Sequence, residues 1–233
     1  AAMVRRMGIE SNVPEVASIA LGTAEITLCE MVRAYGAFAT GGCVRNQTMI
    51  TSIKDRDGNV LYESTRDISG AYVMSEVTAI YVNDMMKAVV DSGTARSLRN
   101  VYKLQGEVAG KTGTTQNGAD GWFIGMMPGI VAGAWVGCDN PSIRFRTGYY
   151  GQGAYMALPI VGRVFDRASR ANMETYVGGQ FPEPVDDDMR LNMQYPLSLA
   201  WEPDMDSLYY AVRREVIDGE YDGMLIENHA QGP

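Results

Sequence analysis

Between residues 28 and 39, apolar residues recur every three or four positions, which is the spacing of one face of an α-helix. This face comprises Leu28, Met31, Val32, Tyr35, Phe38 and Ala39. Thr27 and Glu30 have the spacing of a capping box at its start, and Gly41 with Gly42 ends the pattern. The stretch is therefore predicted to be a helix with one buried face.

Two further segments have helical spacing. The first runs from residue 75 to 90, and Ser92 with Gly93 ends it. Its predicted buried stripe comprises Val77, Ile80, Tyr81, Met85, Ala88 and Val89. The second, from residue 154 to 172, is predicted to be the closing helix.

Strand patterns lie between these helices. Residues 49–63 are predicted to form a β-hairpin, because two apolar runs flank the turn Arg56-Asp57-Gly58-Asn59. Three more short strands are separated by Asn-Gly and Pro-Gly turns and are expected to pair as an antiparallel meander. They cover residues 106–115, 121–127 and 130–137. Helices packed on an antiparallel sheet define an α+β fold.

The charge distribution divides the chain into a nearly neutral part and an acidic part. It has 233 residues, enough to bury one sizeable core, and a net charge of -8. From Ala171 onward there are 13 acidic and 3 basic side chains, whereas the first 170 residues carry 15 acidic and 17 basic ones. We therefore predict a folded domain over residues 1–172 and an acidic, partly irregular tail over 173–233. A nucleic-acid partner is not expected, since phosphate contacts require a basic surface.

Other features of the composition narrow the class of protein to which the chain can belong. No run of about 18 apolar residues is present, so we expect neither a membrane span nor membrane contact from this segment. The first residues also lack the pattern of a signal peptide. Three cysteines and a single histidine, His229, do not indicate a disulfide framework or a zinc site, and no other metal or cofactor is predicted. A bridge between Cys29 and Cys43 is left open.

The chemistry is concentrated in Gly110-Lys111-Thr112, which two unrelated mechanisms use. A phosphate-binding loop requires four residues between its two glycines, but only three separate Gly106 from Gly110. The loop should also open a helix, whereas the residues after Thr112 favour a strand that enters a turn. A phosphate-binding loop is therefore rejected.

An acyl-transfer strand fits the same residues. Such a strand lies at a sheet edge beside a nucleophilic serine, so that a peptide substrate adds to the sheet. Lys111 would supply positive charge for a carboxylate and for proton transfer. Gly113 would avoid a side chain in the cleft, and Thr114 would offer its backbone N–H to the acyl oxygen. The Thr114 hydroxyl would also hold the carboxylate, and Thr112 and Thr115 are the other predicted substrate-binding residues.

The surroundings of these residues resemble the transpeptidase domain of class A penicillin-binding proteins, the bifunctional peptidoglycan synthases of the penicillin-binding-protein-1A kind. The segments that carry the resemblance are Ser18–Gly42, Val89–Leu98 with its Gly-Thr-Ala turn, Gly106–Asn140 and Gly151–Phe165. Asp120 and Trp122 follow the same pattern, although we interpret them as a turn residue and a packing residue. The resemblance implies part of the serine β-lactamase/D,D-transpeptidase fold.

The resemblance also implies a reaction and a location. A serine attacks the penultimate D-Ala carbonyl of a peptidoglycan stem peptide, and an amine of a neighbouring stem then resolves the acyl-enzyme into a cross-link. β-Lactam antibiotics acylate the same serine. Such domains face the periplasm or outer surface of bacteria, anchored by an N-terminal membrane helix.

The sequence departs from the family in one respect that bears on activity. The family uses Ser-x-x-Lys and Ser-x-Asn motifs before Lys-Thr-Gly. The residues three positions before Lys54, Lys87, Lys103 and Lys111 are Thr51, Asp84, Asn100 and Val108. Serine does not precede any asparagine by two positions. We therefore expect a C-terminal part of the domain that needs its upstream half as a partner, that is inactive alone, and that exposes apolar surface.

Two alternatives stay open. One is a non-catalytic cell-wall-binding or scaffold domain that kept the fold and lost the serine. The other is a serine β-lactamase or a D,D-carboxypeptidase, which share the Lys-Thr-Gly strand.

Overall fold

A computed structural model describes residues 1–64, 70–140, 142–146, 148–171 and 178–183. They lie in one compact unit, Ala1–Pro184. Most of the predicted acidic tail therefore falls outside the described residues. The helices are α1 (Ala2–Arg6), α2 (Leu28–Ala39), α3 (Glu76–Asp91), α4 (Ser97–Asn100), α5 (Gly153–Met156) and α6 (Leu158–Arg170), with 3₁₀ turns at Ala17–Leu21 and Gln116–Gly118.

The strands form three antiparallel sheets. They are β1 (Cys43–Val44), β2 (Ser52–Lys54), β3 (Val60–Glu63), β4 (Ala71–Tyr72), β5 (Ala109–Thr114), β6 (Gly121–Met127) and β7 (Ile130–Val136). β1 pairs with β4, and β2 with β3 forms the predicted hairpin. β5, β6 and β7 form the predicted antiparallel meander. The predicted α+β class is confirmed.

Helices cover both faces of the three-stranded sheet. On one face Phe165 of α6 packs with Phe123 of β6, and both side chains are fully buried. On the other face, a Cβ atom at Gly133 of β7 would lie 2.7 Å from Val32 and 3.0 Å from Leu28 of α2. The alternation of side chains along each strand thus places the two cores on opposite sides of β6.

The buried stripe of α3 differs from the predicted one. Val77 and Met85 are exposed, at 43% and 62%. The buried residues are Ala79, Ile80, Asn83, Met86 and Val90. The prediction followed hydrophobicity alone and therefore missed Asn83, whose Nδ2 donates a 2.8 Å hydrogen bond to the Phe38 carbonyl near the end of α2. A buried amide is tolerated where it satisfies such a group.

Two smaller expectations are resolved by the structure. The segment predicted as one closing helix is divided into α5 and α6, with Pro159 in the first turn of α6. Cys29, Cys43 and Cys138 are all free thiols, so the bridge between Cys29 and Cys43 is not formed.

In the part of the chain that the structure describes, no helix combines the length and apolar character that crossing a bilayer requires.

Glu30 connects the predicted capping box to the N-terminal segment. Thr27 Oγ1 accepts from the Glu30 N–H at 3.3 Å, and Glu30 Oε2 accepts from the Thr27 N–H at 3.0 Å, so the capping box is confirmed. The same Oε2 accepts from Thr27 Oγ1 at 2.7 Å. Glu30 Oε1 also accepts from the backbone N–H groups of Glu10 and Ser11, both at 2.7 Å, and Oε2 accepts from Ser11 Oγ at 2.6 Å. These bonds, chiefly those from the Ser11 and Thr27 side chains, hold the pKa of Glu30 well below its ordinary value of 4.5.

Replacing Glu30 by glutamine is expected to lower the free energy of unfolding by about 1–2 kcal/mol at pH 7. Because the folded-state pKa is depressed, this stabilisation is present above the ordinary value of 4.5 and is lost as the pH falls below it. The difference between wild type and Glu30→Gln should therefore shrink in acid. Urea denaturation at pH 7 and at acidic pH measures it, with the exposed Glu25→Gln as control. A pH-independent difference would contradict this account.

Candidate functional site

The Lys-Thr-Gly sequence lies in β5, at the edge of the three-stranded sheet. Among the described strands, β5 pairs with β6 alone, so its other edge is open. Alternation along the strand places Lys111 and Gly113 on one face and Thr112 and Thr114 on the other. The four residues are partly or fully exposed, whereas Ala109 and Gly110 are buried. Burial along β5 therefore ends at Gly110, and the strand is exposed or half-buried from Lys111 onward.

The open edge of β5 presents both a cation and a hydrogen-bond donor. Lys111 Nζ donates to the Thr112 carbonyl at 2.6 Å. The Thr115 N–H donates toward β6, to the Asp120 carbonyl, and backbone groups alternate in direction along a strand, so the Thr112 carbonyl points away from β6. Backbone groups two residues apart in a strand point the same way, and the Thr114 N–H is therefore directed to the same edge. Within the described residues Lys111 forms no ion pair, in contrast to Lys87, which lies 2.9 Å from Glu107. No described carboxylate therefore neutralises the Lys111 ammonium.

The structure adds a second constraint at position 113 to the predicted one. Gly113 lies directly opposite Trp122 of β6, and a Cβ atom at position 113 would be 3.1 Å from Trp122 Cβ. A side chain at this position would therefore crowd the neighbouring strand. Trp122 in turn packs against Trp135 of β7, with ring centroids 6.4 Å apart.

Thr112 has a partner that the sequence argument did not single out. Thr94 Oγ1 lies 2.8 Å from Thr112 Oγ1, which joins the turn after α3 to β5. Thr94 belongs to the Gly-Thr-Ala turn already noted in the resemblance, and this was the available signal. The contact fixes the orientation of the Thr112 hydroxyl.

The hydroxyl groups of Thr114 and Thr115 are engaged within the fold. Thr114 Oγ1 accepts from the Gly153 N–H at 3.1 Å. Thr115 Oγ1 accepts from the Asp120 N–H at 3.0 Å, and the Thr115 N–H donates to the Asp120 carbonyl at 3.2 Å. These bonds close the turn between β5 and β6. They bring Asp120 beside Thr115. Because the Thr114 hydroxyl is already hydrogen-bonded, Thr114 presents its backbone N–H at the open edge.

Within the described part of the chain, no metal site accompanies this strand. Across the described ranges, no three histidine, cysteine, aspartate or glutamate residues are grouped so as to hold a metal ion. The arrangement offers a lysine cation, a backbone N–H and an oriented hydroxyl on one open strand. Groups of these kinds are suited to binding a carboxylate and to stabilising a developing oxyanion.

The sequence profile of the penicillin binding protein transpeptidase domain matches residues 7–136. The chain belongs to this family. The matched range includes β5, β6 and Thr94, and it ends with β7.

Among its relatives are proteins called penicillin-binding protein 1A. The chain is 35% identical to that of Rickettsia bellii over 179 residues, which is 68% of this chain and 22% of the relative. It is 38% identical to that of Aquifex aeolicus over 156 residues, 67% of this chain and 20% of the relative. The chain thus spans about a fifth of the length of these relatives.

Solved structures show the same fold. Penicillin-binding protein 1A from Haemophilus influenzae superposes with a TM-score of 0.65 at 22% identity, covering 78% of this chain and 32% of that chain. PonA1 from Mycobacterium tuberculosis gives a TM-score of 0.59 at 23% identity, covering 78% of this chain and 52% of that chain. The predicted D,D-transpeptidase fold is therefore confirmed.

Proposed function

We propose that this chain supplies one wall of the active site of a serine D,D-transpeptidase, within a bifunctional peptidoglycan synthase of the penicillin-binding-protein-1A kind. The observation that carries the proposal is the open edge of β5, where the Lys111 ammonium bonds to the Thr112 carbonyl and the Thr114 N–H faces the same edge. Family membership and the relatives called penicillin-binding protein 1A support it. The proposed site residues are Lys111, Thr112, Gly113, Thr114 and Thr115.

In the proposed reaction, a serine oxygen attacks the penultimate D-Ala carbonyl of a stem peptide. The Thr114 N–H stabilises the oxyanion, and Lys111 with Thr112 binds the terminal carboxylate. The peptide bond breaks, and the terminal D-Ala leaves with a proton on its amine. An amine of a second stem peptide then attacks the ester, which forms the cross-link and restores the serine.

The nucleophile is proposed to lie outside these 233 residues. The proposal rests on the lack of Ser-x-x-Lys and Ser-x-Asn in the sequence, since the chemistry requires both a serine and its lysine. The upstream half of the same protein is the proposed partner, and the chain alone is proposed to be inactive. Residues 1–172 would belong to the transpeptidase domain and residues 173–233 to the acidic tail.

One part of the proposed tail packs on the domain. Phe181 is buried with Met86, Ala109 and Met126, on the face of the sheet that α2 and α3 cover. Its backbone N–H donates to the Glu107 carboxylate, which also pairs with Lys87. Residues 178–183 therefore stabilise the start of β5.

β-Lactam antibiotics are proposed as ligands of the same strand. PonA1 from Mycobacterium tuberculosis, in its complex with penicillin V, shares the fold with a TM-score of 0.58 at 22% identity. A β-lactam carries a carboxylate beside its reactive carbonyl, as the stem peptide does. The proposed location is the bacterial envelope, on the periplasmic or outer side, with an anchoring membrane helix outside this sequence.

Labelled penicillin separates this proposal from its alternatives. In the full-length protein that contains this chain, we expect one covalent penicillin per molecule that persists for hours, because a transpeptidase releases the acyl group slowly to water. Steady release of hydrolysed penicillin would instead indicate a β-lactamase. No adduct at saturating penicillin would contradict the enzyme and favour the scaffold domain. Gel fluorescence and hydrolysis assays distinguish these results.

A further inference from the structure

Four exposed aromatic side chains contact one another through their rings. Three lie in the segment between β7 and α5, and the fourth lies in α5. The aromatic cluster comprises Phe145, Tyr149, Tyr150 and Tyr155. The ring centroid of Tyr149 lies 4.2 Å from that of Tyr155 and 5.2 Å from that of Tyr150, and Phe145 is 6.1 Å from Tyr150. The four side chains are 47% to 59% exposed. A contiguous exposed aromatic patch of this kind is a candidate for a binding surface.

The aromatic cluster is attached to the end of the catalytic strand. The Gly153 N–H donates to Thr114 Oγ1 at 3.1 Å. A Cβ atom at Gly151 would lie 2.9 Å from Gly118 Cα, so the two loops are in direct backbone contact. The aromatic cluster flanks these glycines in the sequence and is therefore held at the C-terminal end of β5.

The proposed contacts fix the direction in which the acyl donor runs. Its acyl oxygen faces the Thr114 N–H, and its C-terminal carboxylate faces Lys111. The donor therefore runs antiparallel to β5, from residue 114 toward residue 111. The part of the donor that precedes the scissile bond leaves β5 beyond Thr114, on the side of the aromatic cluster.

We infer that the aromatic cluster binds the glycan strand to which the donor stem peptide is attached, an inference that rests on the proposed function. The stem peptide is joined to its sugar through its N-terminus, which is the end that leaves β5 beyond Thr114. The C–H faces of sugar rings stack on aromatic rings, and tyrosine adds a hydroxyl at the ring edge. The exposed Arg144 and Arg146 beside Phe145 add donors for sugar hydroxyl and acetamido oxygens.

Tyrosine favours a carbohydrate over an apolar side chain as the occupant. Three of the four rings carry a phenol that would lose hydrogen bonds to water inside an apolar contact. A sugar replaces those bonds with its own hydroxyl groups while it covers the ring faces. Tyr155 beside Tyr149 raises the pKa of the Tyr149 phenol above its ordinary value of 10.0, and a phenol is already a neutral donor at physiological pH.

The test compares two donors in the full-length protein that contains this chain. One is a glycan strand that carries uncross-linked stem pentapeptides, and the other is the same pentapeptide without sugar. The double variant Tyr149→Ala with Tyr155→Ala is expected to lower kcat/KM about tenfold for the glycan-linked donor, as two lost ring contacts imply. The free pentapeptide should react at the wild-type rate. Tyr149→Phe with Tyr155→Phe, which keeps the rings, should recover most of the loss.

Each other result overturns the inference. An equal loss with both donors would assign the cluster to the stem peptide, and an unchanged rate with both would leave it without a role in the donor. Loss of labelling by penicillin as well would show that the cluster supports the fold or an interface with the rest of the protein. Failure of the proposed function is distinguishable, because the wild-type protein would then react with neither donor and with no penicillin. Tyr72→Ala, an exposed tyrosine of β4, serves as the matched control.

Discussion

Replacing Lys111 by alanine in the full-length protein is expected to slow acylation by penicillin about a thousandfold, within the range for loss of a proton-transfer group. The ammonium lies on the open edge of β5, bonded to the Thr112 carbonyl, where it would meet the carboxylate of the ligand. Removing it costs both the charge that binds the carboxylate and a group that moves the proton of the serine. Stopped-flow measurement of the second-order acylation rate gives the effect.

Two variants sharpen this prediction. Lys111→Arg keeps the charge but holds its proton firmly, so penicillin binding should survive better than the acylation step. Lys54→Ala changes an exposed lysine on the β2–β3 hairpin and should acylate at the wild-type rate. If Lys111→Ala acylates as fast as Lys54→Ala, β5 is not the catalytic strand.

Replacing Phe165 by alanine is expected to lower the free energy of unfolding of the complete transpeptidase domain by about 3–5 kcal/mol. Phe165 is fully buried in α6 and packs with Phe123 and Leu98. The space beside it exists because Gly125 has no side chain, since a Cβ atom there would lie 2.9 Å from the Phe165 ring. Alanine leaves a cavity that this rigid sheet cannot close.

The neighbouring Val164 provides the control for this loss. Val164 lies in the same helix but is 44% exposed. Val164→Ala should change the free energy of unfolding by less than about 0.5 kcal/mol, as surface substitutions usually do. Urea denaturation followed by near-UV circular dichroism compares the two variants. Equal effects would contradict the packing of α6 on the sheet.

Much of the fold follows from local sequence signals. The capping box at Thr27 and the Asp-Gly turn at Asp57 each placed an element correctly, because these signals act over a few residues. The meander also followed from its turns. The faces of α3 did not, since Asn83 is buried by virtue of a carbonyl 45 positions away in the sequence. Tertiary partners of this kind leave no mark on hydrophobic periodicity.

The candidate site likewise combines features that the local sequence predicts with features that depend on tertiary contacts. The place of Lys111 through Thr114 on a strand at the sheet edge could be predicted from the pattern around them. The contact between Thr94 and Thr112, and the position of Gly113 opposite Trp122, depend on which segments meet in space. The aromatic cluster was missed because its members are spread between residues 145 and 155 without regular spacing. Their rings come into contact only in the folded structure.

Peptide mass spectrometry after reaction with penicillin tests the central proposal most directly. The full-length protein that contains this chain and the separate 233-residue chain would be treated in parallel. The proposal predicts one adduct on the full-length protein, on a serine of a Ser-x-x-Lys motif outside these residues, and none on the separate chain. An adduct on any residue of this chain, or an unmodified full-length protein, would contradict it.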